Sequence, residues 1–192
     1  MNSYKYVGYI TKIGCSFLLL LVFQLSLFGQ TRPEKWAKPI NSTYIENFYR
    51  IDDEFFRSGN PSSEAFRELE ALGIMEVINL QTYHNDKDEA EGSAVELHRV
   101  KMNAHNIKEG DVIEVLRLIK NRNGKILVHC KHGSDRTGLI VAMYRIVFQG
   151  WSKEDATDEL INGGYGYHRI FRNIPKFIEK VDISRIKAEV FQ

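Results

Sequence analysis

Ten residues placed between two apolar runs constrain this chain more than any other stretch. They read HCKHGSDRTG and extend from His129 to Gly138. The preceding run, Lys125–Val128, follows an Asn-Gly turn and contains β-branched side chains, which predicts a buried strand. The following run, Leu139–Phe148, is too long for a strand and apolar enough for a core helix. The sequence therefore predicts a strand, a tight loop and the start of a helix in direct succession.

This order of elements creates a binding place for an anion. A tight loop that leads from a strand into a helix turns consecutive backbone N–H groups inward, and the helix adds the positive end of its dipole. The loop from Cys130 to Arg136, called the Cys130 loop below, begins with a thiol and ends with a guanidinium. Both the amide donors and the guanidinium favour the thiolate form of a cysteine. The planar guanidinium also matches two oxygens of a phosphate or sulfate group.

The other residues of the stretch fit the same chemistry. Gly133 relieves crowding where the backbone turns toward the ligand. Thr137 places a hydroxyl at the predicted helix start, where it can cap amides or donate to the thiolate, and His129 can orient the nucleophile through a ring N–H. The predicted anion-binding residues are the six that follow the cysteine: Lys131, His132, Gly133, Ser134, Asp135 and Arg136. Taken singly, Cys130 fits a buried structural thiol and Arg136 fits a surface charge. These two roles do not account for both residues at this spacing.

The pattern of His, Cys, five residues, Arg, Thr and Gly resembles the signature of the cysteine-dependent protein tyrosine phosphatases. The chain is most similar to their compact dual-specificity branch, including its bacterial and its atypical plant and fungal members, over about residues 48–181. The resemblance implies hydrolysis of phosphomonoesters through a cysteinyl-phosphate, with Cys130 as nucleophile and Arg136 on the phosphoryl oxygens. It implies a phosphorylated protein or a small phosphomonoester as substrate, and neither a metal nor a cofactor, because the loop supplies the positive field.

The resemblance also implies a residue that protonates the leaving oxygen. The family generally uses an aspartate on a loop upstream of the cysteine, but the corresponding stretch, Met102–Gly110, contains none. Asp135 is the first candidate, because some relatives with an Asp-Arg-Thr ending are thought to use that position. Asp111, predicted to cap the next helix, is second and Glu109 third. His105 is a further candidate, since an imidazole exchanges protons near neutral pH.

Charge in the Cys130 loop leaves the substrate class open. Lys131 and His132 make the loop cationic, as in relatives that act on inositol phosphates or phosphoinositides, whereas Asp135 disfavours a highly charged substrate. A protein tyrosine or dual-specificity phosphatase is expected, with a phosphoinositide or inositol-phosphate phosphatase as the alternative. A non-catalytic phosphate-binding module is the alternative from another class. Arsenate reduction is disfavoured because it needs additional thiols and the chain contains only Cys15 and Cys130.

Residues 1–30 predict export from the cytoplasm. Lys5 and Lys12 precede an uncharged and strongly apolar stretch, as in a secretory signal peptide. An uncleaved signal-anchor is the alternative, because the uncharged stretch approaches the roughly 20 residues that span a bilayer. The expected location is periplasmic or secreted, with a membrane-anchored form as the alternative. Without this segment the chain has 24 basic against 25 acidic residues, which gives nucleic-acid binding no support.

Strands and helices alternate along the rest of the chain. This order predicts one α/β domain over residues 44–182, in which helices cover both faces of a central, mostly parallel sheet; the resemblance implies a tyrosine-phosphatase-like fold. Residues 31–43 are predicted to be a linker and residues 183–192 a charged tail. The Cys130 loop then lies at the carboxyl end of a central strand, where open α/β sheets bind ligands.

The polar loop Gln81–Gly92 follows one of the predicted strands. Its acidic residues are predicted to be solvated, and the loop is either a rim of the substrate site or a simple turn. A metal site formed by His84, Asp86 and Asp88 is an alternative, but the sequence fixes no coordination geometry for it.

Overall fold

The computed structural model describes residues 32–192, which build an α/β fold around one six-stranded sheet. The export signal or anchor predicted in residues 1–30 lies outside the described residues. Within residues 32–192, no helix combines the length and the apolar character needed to cross a membrane.

The sheet is mixed, with its parallel part at the centre and at one edge. Its strands are β1 (Lys38–Pro39), β2 (Tyr49–Arg50), β3 (Phe55–Ser58), β4 (Ile74–Asn79), β5 (Glu96–Arg99) and β6 (Lys125–His129). The helices are α1 (Ser63–Ala71), α2 (Glu109–Lys120), α3 (Asp135–Phe148), α4 (Lys153–Asn162), α5 (Asn173–Lys180) and α6 (Ile183–Phe191). The strand order is β1-β2-β3-β6-β4-β5, and β3, β6, β4 and β5 run parallel to their neighbours in that order. β1 and β2 add an antiparallel edge.

Alternate residues of the central strand β6 enter two separate cores, one on each face of the sheet. Leu127 packs with Phe66 and Leu69 of α1. Ile126 and Val128 point to the other face, where they join buried side chains from α2 to α6. Each such side chain contributes about 1.5–3 kcal/mol through its burial. The predicted α/β domain, with a mostly parallel sheet covered by helices on both faces, is confirmed.

Two helices begin at a serine whose hydroxyl caps the helix start. The Ser62 hydroxyl accepts a hydrogen bond from the backbone N–H of Ala65 at 3.3 Å and opens α1. The Ser152 hydroxyl accepts from the backbone N–H of Asp155 at 3.0 Å and opens α4. Such caps satisfy backbone donors that a helix start otherwise leaves unpaired.

Two segments predicted to lie outside the domain contribute to its structure. The predicted linker, residues 31–43, contains β1, and Trp36 and Ala37 just before that strand are buried. The predicted charged tail, residues 183–192, contains α6, whose Ile186 and Val190 are buried. These two residues are four apart and therefore share one helix face. Because charged residues occupy the other faces of α6, the sequence of this segment resembles that of a solvated tail.

Helix α3 begins at Asp135, four residues before the start that the apolar run predicts. It is buried along almost its whole length, because α2, α4, α5 and α6 all contact it. Its first turn contains Asp135 and Arg136, the last two residues of the Cys130 loop. The loop is therefore fixed at one end by the central strand and at the other by the most buried helix.

Candidate active site

Neighbouring residues hold the carbonyl groups of the Cys130 loop away from its centre. Each of three neighbours donates a hydrogen bond to one of these carbonyls: the Asn60 backbone N–H to Lys131 at 3.2 Å, the Asn47 side-chain amide to His132 at 2.8 Å, and the Arg57 guanidinium to Gly133 at 2.5 Å. The C=O and N–H of a trans peptide unit point in opposite directions. Fixing the carbonyls outward therefore turns the following N–H groups inward, which is the arrangement that binds an anion.

Gly133 occupies the tightest point of this loop. Its φ of +72° lies in the left-handed region. A Cβ at this position would approach the Ser58 carbonyl oxygen to 2.5 Å and the Gly59 nitrogen to 2.6 Å. From the sequence, Gly133 is expected to relieve crowding where the backbone turns toward the ligand. In the structure the crowding lies against Ser58 and Gly59 at the end of β3.

Cys130 and His129 lie at the base of the loop. The Cys130 side chain is a free thiol in a residue that is only 2% exposed. The imidazole of His129 is buried, and its Nε2 lies 2.9 Å from Oδ2 of the buried Asp86. The prediction that the acidic residues of the loop after β4 are solvated is therefore wrong for Asp86. Strands β4 and β6 are parallel neighbours, so the segments that follow them meet at one edge of the sheet.

The start of α3 differs from the predicted cap. Ser134 occupies the N-cap position, and its hydroxyl donates to the Tyr165 carbonyl at 2.7 Å. Thr137 lies one turn further on as a helical residue. Its hydroxyl is buried and has no hydrogen-bond partner among residues 32–192. Of the two roles predicted for Thr137, capping the helix is wrong, because the helix starts before it.

Arg136 lines a cavity of about 580 Å³ above the loop. The cavity wall consists of residues 81–84, residues 102–105, Lys131, Arg136 and Phe171. Nη1 of Arg136 donates to the Leu80 carbonyl at 3.2 Å and, more weakly, to the Met102 carbonyl at 3.4 Å. These bonds fix the guanidinium at the point where the segments after β4 and β5 meet the Cys130 loop. The cavity therefore combines a guanidinium, an ammonium group and aromatic side chains.

The structure separates the four candidate proton donors. Asp135 is 6% exposed, and its two oxygens lie 2.9 Å from the backbone nitrogen and 2.8 Å from Nδ1 of His168. Glu109 forms an ion pair with Arg185 of α6. Of these candidates, His105 alone is among the residues that line the cavity, and its ring centroid lies 4.8 Å from that of Phe171.

Asp111 is the fourth candidate, and it does not occupy the predicted capping position. Lys108 is the N-cap of α2, and Asp111 lies inside the first helical turn. A carboxylate there still favours the helix through the dipole. Asp111 is half-buried and is not part of the cavity wall.

Arg57, which no sequence pattern singles out, supports the Cys130 loop through the Gly133 carbonyl. The side chain is fully buried, and its guanidinium carbon lies 3.6 Å from the ring centroid of Tyr165. Burial lowers the pKa of Arg57, while the charges of Tyr165, Glu159 and Cys130 oppose that shift. Two of its nitrogens, Nε and Nη1, have no hydrogen-bond partner within residues 32–192. A buried cation thus anchors the Gly133 carbonyl of the Cys130 loop.

A buried ion pair between Arg145 and Glu159 extends this support toward α4. Glu159 accepts from Nε of Arg145 at 2.9 Å and from the Tyr165 hydroxyl at 2.9 Å. It also accepts from the backbone N–H of Ala37 at 2.7 Å. The loop, α3, α4 and the segment before β1 are therefore joined by one hydrogen-bonded network.

Arg57→Met is expected to lower the free energy of unfolding by about 1–3 kcal/mol, because the Gly133 carbonyl loses a buried donor. Affinity for inorganic phosphate is expected to fall as well, since the loop loses one of its three carbonyl anchors. Urea denaturation and calorimetric titration measure the two effects. The matched control is Arg67→Met on the exposed side of α1, with an expected change within about 0.5 kcal/mol. Equal stability and phosphate affinity in both variants would contradict a supporting role for Arg57.

Three clusters of side chains within residues 32–192 bring His, Asp or Glu ligand atoms within 4.8 Å of one another. They are His132–Asp135–His168, Glu76–Glu96–His98 and His84–Asp86–Glu89. The first two already contain short direct hydrogen bonds, at 2.8 Å between His168 and Asp135 and at 3.0 Å between His98 and Glu76.

Residues 43–190 match the sequence pattern of a family described as the tyrosine phosphatase family. The chain belongs to the tyrosine phosphatase family. The match includes nearly all of the described residues, among them the Cys130 loop and the cavity wall. The predicted resemblance to the compact, cysteine-based dual-specificity branch is confirmed.

This tyrosine phosphatase is similar to proteins from bacteria and plants. It is 33% identical over 161 residues to the dual specificity protein phosphatase TpbA of Pseudomonas aeruginosa. The aligned region covers 82% of this chain and 72% of TpbA. It is 30% identical over 150 residues to the inositol diphosphatase DSP4 of Arabidopsis thaliana, with 73% and 74% of the two chains covered. A crystal structure of P. aeruginosa TpbA in complex with phosphotyrosine superimposes with a TM-score of 0.76 at 29% identity, over 84% of this chain and 99% of that one.

Proposed function

We propose that this phosphatase hydrolyses phosphomonoesters with Cys130 as the nucleophile and Arg136 as a ligand of the phosphoryl oxygens. One observation carries the proposal: neighbouring residues hold the carbonyls of the Cys130 loop outward, a buried free thiol begins this loop, and the guanidinium at its end lines the cavity. This arrangement stabilises the negative charge that spreads over the oxygens in the transition state.

The reaction proceeds in two displacements at phosphorus. The thiolate forms a sulfur–phosphorus bond while the bond to the leaving oxygen breaks, and that oxygen takes up a proton. Water then attacks the cysteinyl-phosphate, the sulfur–phosphorus bond breaks, and inorganic phosphate leaves with the thiolate restored. The inward N–H groups and Arg136 contact the equatorial oxygens in both steps. The loop thus acts as a fixed electrostatic cradle throughout the reaction.

We propose phosphotyrosine, or a similar aryl phosphate, as the preferred substrate. The rings of His105 and Phe171 form part of the cavity wall beside Tyr83, and aromatic rings pack favourably against a phenyl group. The similarity to TpbA, whose crystal structure contains phosphotyrosine, supports this choice. An inositol diphosphate is the second candidate, because the exposed Lys131 adds positive charge to the cavity wall. The similarity to a plant inositol diphosphatase supports that second candidate.

The proposal is tested with the full-length chain in the presence of EDTA. Three substrates are compared by kcat/KM: a phosphotyrosine peptide, the same peptide with phosphoserine, and an inositol diphosphate. The expected preference for phosphotyrosine over phosphoserine is about 10–200-fold, the usual range for apolar contacts in a pocket. Hydrolysis of none of the three would contradict the proposed function. A higher kcat/KM for the inositol diphosphate would replace the first substrate class with the second.

We further propose that His105 protonates the leaving oxygen. Among the candidates it is the one whose side chain lines the cavity, while both oxygens of Asp135 are engaged by His168. His105→Ala is expected to lower kcat for an alkyl phosphate by about 10²–10⁴-fold, the usual contribution of general acid catalysis. The loss should be much smaller for p-nitrophenyl phosphate, because that leaving group departs without protonation.

Asp135→Asn is the comparison variant for this prediction, assayed with the same pair of substrates. A selective loss with the alkyl phosphate in Asp135→Asn, and none in His105→Ala, would assign the proton transfer to Asp135. A uniform loss with both substrates in Asp135→Asn would show that Asp135 positions the loop, through its contacts with His168, and does not transfer the proton.

We propose that residues 1–30 direct export, which would make the enzyme periplasmic or secreted. The lysines that precede a long uncharged stretch support this proposal. Cell fractionation followed by N-terminal sequencing tests it. Recovery of a chain that begins near residue 30 from the periplasm or medium is expected. An intact N-terminus in the membrane fraction would favour a signal-anchor, and an intact chain in the cytoplasm would contradict export.

A further inference from the structure

The loop after β4 contains a group of nitrogen and oxygen donors outside the proposed reaction. Nε2 of His84 lies 3.4 Å from Oε1 of Glu89 and 3.7 Å from Oδ1 of Asp86. A hydrogen bond from a nitrogen to an oxygen spans about 2.7–3.2 Å, so both separations are too long for good hydrogen bonds. Ligands of a tetrahedral zinc ion, with bonds of about 2.0–2.2 Å, are separated by about 3.3–3.5 Å. The separation of His84 from Glu89 thus fits two ligands of one ion, and the ligand atoms of all three side chains lie within 4.8 Å of one another.

Two atoms of this cluster are buried without a partner. Nε2 of His84 and Oε2 of Glu89 are shielded from solvent, and neither forms a hydrogen bond to any residue in the described part of the chain. Buried polar atoms are normally satisfied, and an unsatisfied one points to a missing ligand or water. The other two candidate clusters differ, because their imidazoles form direct hydrogen bonds of 2.8 and 3.0 Å to a carboxylate.

The backbone and neighbouring side chains fix the cluster in place. The Ala90 N–H donates to the Asp86 carbonyl at 2.9 Å and closes a helical turn, so Asp86 and Glu89 lie on one side of it. The Asp86 carboxylate is buried and accepts from the Asn79 amide at 2.8 Å. Its other oxygen lies 2.9 Å from Nε2 of His129. Outer contacts of this kind orient metal ligands in proteins.

We propose that His84, Asp86 and Glu89 bind a divalent transition metal ion of the zinc class. The imidazole donor favours zinc over magnesium or calcium, which prefer oxygen ligands alone. The His84 side chain is 39% exposed, which provides a path for the ion and for a water as fourth ligand. The bound ion would stabilise the conformation of the loop after β4, which forms one wall of the cavity. The ion takes no part in the proposed phosphoryl transfer, although His84 also lines the cavity.

Calorimetric titration with zinc chloride tests the site in the full-length chain carrying Cys130→Ser, which removes a competing thiol. One zinc ion per chain is expected, together with a zinc-dependent rise of the thermal unfolding midpoint. Adding His84→Ala or Glu89→Gln is expected to weaken zinc binding by about 100-fold, because even the loss of an outer contact costs 10–100-fold. The matched controls are His98→Ala and His168→Ala, each of which disrupts one of the other two clusters and should leave the affinity unchanged.

Cobalt provides a second readout that does not depend on stability. Cobalt bound with tetrahedral geometry is expected to absorb visible light in the Cys130→Ser chain and not in the same chain with His84→Ala. Absence of saturable zinc binding would overturn the proposal. Equal affinity with and without His84 and Glu89 would overturn it as well, and so would a loss of binding in His98→Ala or His168→Ala. Hydrolysis is not measured in any of these experiments, so their outcome is separate from that of the substrate assays.

Discussion

Cys130→Ser is expected to lower kcat by at least about 10⁴-fold while phosphate binding is retained. A serine hydroxyl stays protonated at neutral pH, so the attacking atom loses both its charge and most of its nucleophilicity. Loss of a covalent nucleophile in an enzyme costs about 10⁴–10⁶-fold. The inward N–H groups and Arg136 are unchanged by the substitution, because the outward carbonyls are held by Asn47, Arg57 and Asn60.

Steady-state hydrolysis of p-nitrophenyl phosphate measures the loss of turnover, and calorimetric titration with inorganic phosphate measures binding. Cys15→Ser is the matched control, since Cys15 is the other cysteine of the chain and belongs to the predicted export segment. That control is expected to keep full activity. Full activity in Cys130→Ser would refute the assignment of the nucleophile. A loss of phosphate affinity together with turnover would show that the thiol also shapes the loop.

Gly133→Ala is expected to have the second-largest effect, a loss of about 10²-fold or more in kcat/KM. The added Cβ would lie 2.5 Å from the Ser58 carbonyl oxygen and 2.6 Å from the Gly59 nitrogen, so backbone atoms must move. The left-handed φ of Gly133 adds strain. A displacement of about 1 Å among groups that position a reacting phosphate costs about 10²-fold in rate. The contact between the Gly133 carbonyl and Arg57 would be disturbed at the same time.

The loss has two possible causes, the close contact of the added Cβ and the strain of the left-handed backbone. Gly92→Ala distinguishes between them. Gly92 has a similar φ of +80°, but a Cβ there would meet no atom within 4 Å. Its substitution should cost about 1–2 kcal/mol of stability from the left-handed backbone, with kcat/KM unchanged. Urea denaturation and steady-state kinetics on both variants provide the comparison. Equal kinetic losses in the two variants would assign the effect to backbone strain and refute the argument from close contact.

The parts of the site that lie close together in the sequence could be predicted. The Cys130 loop and its flanking strand and helix are encoded by consecutive residues, and their apolar patterns define the elements directly. The caps at Ser62 and Ser152 are equally local. Their physical causes act within a few residues of the chain, so the sequence order is sufficient to locate them.

The parts that depend on distant residues could not be predicted. Arg57 reaches Gly133 across 76 positions, and Asp86 reaches His129 across 43. Both charged residues follow ordinary patterns: one lies in a short strand and the other in an acidic loop. Their burial results from the parallel pairing of β3 and β4 with β6, which the sequence suggests only in outline. The role of such a buried charge can be identified only from the structure, where strand pairing brings its hydrogen-bond partner next to it.

The position of β6 between β3 and β4 determines when this enzyme can become active during its synthesis. β6 is the last strand in the chain, yet it fills the middle of the sheet. Until the ribosome has released it, β3 and β4 have no common partner, and their free edges can pair with other chains. The segment that completes the sheet continues directly into the Cys130 loop. Closure of the fold and assembly of the catalytic loop are therefore one event, and a chain that ends before β6 holds no working site.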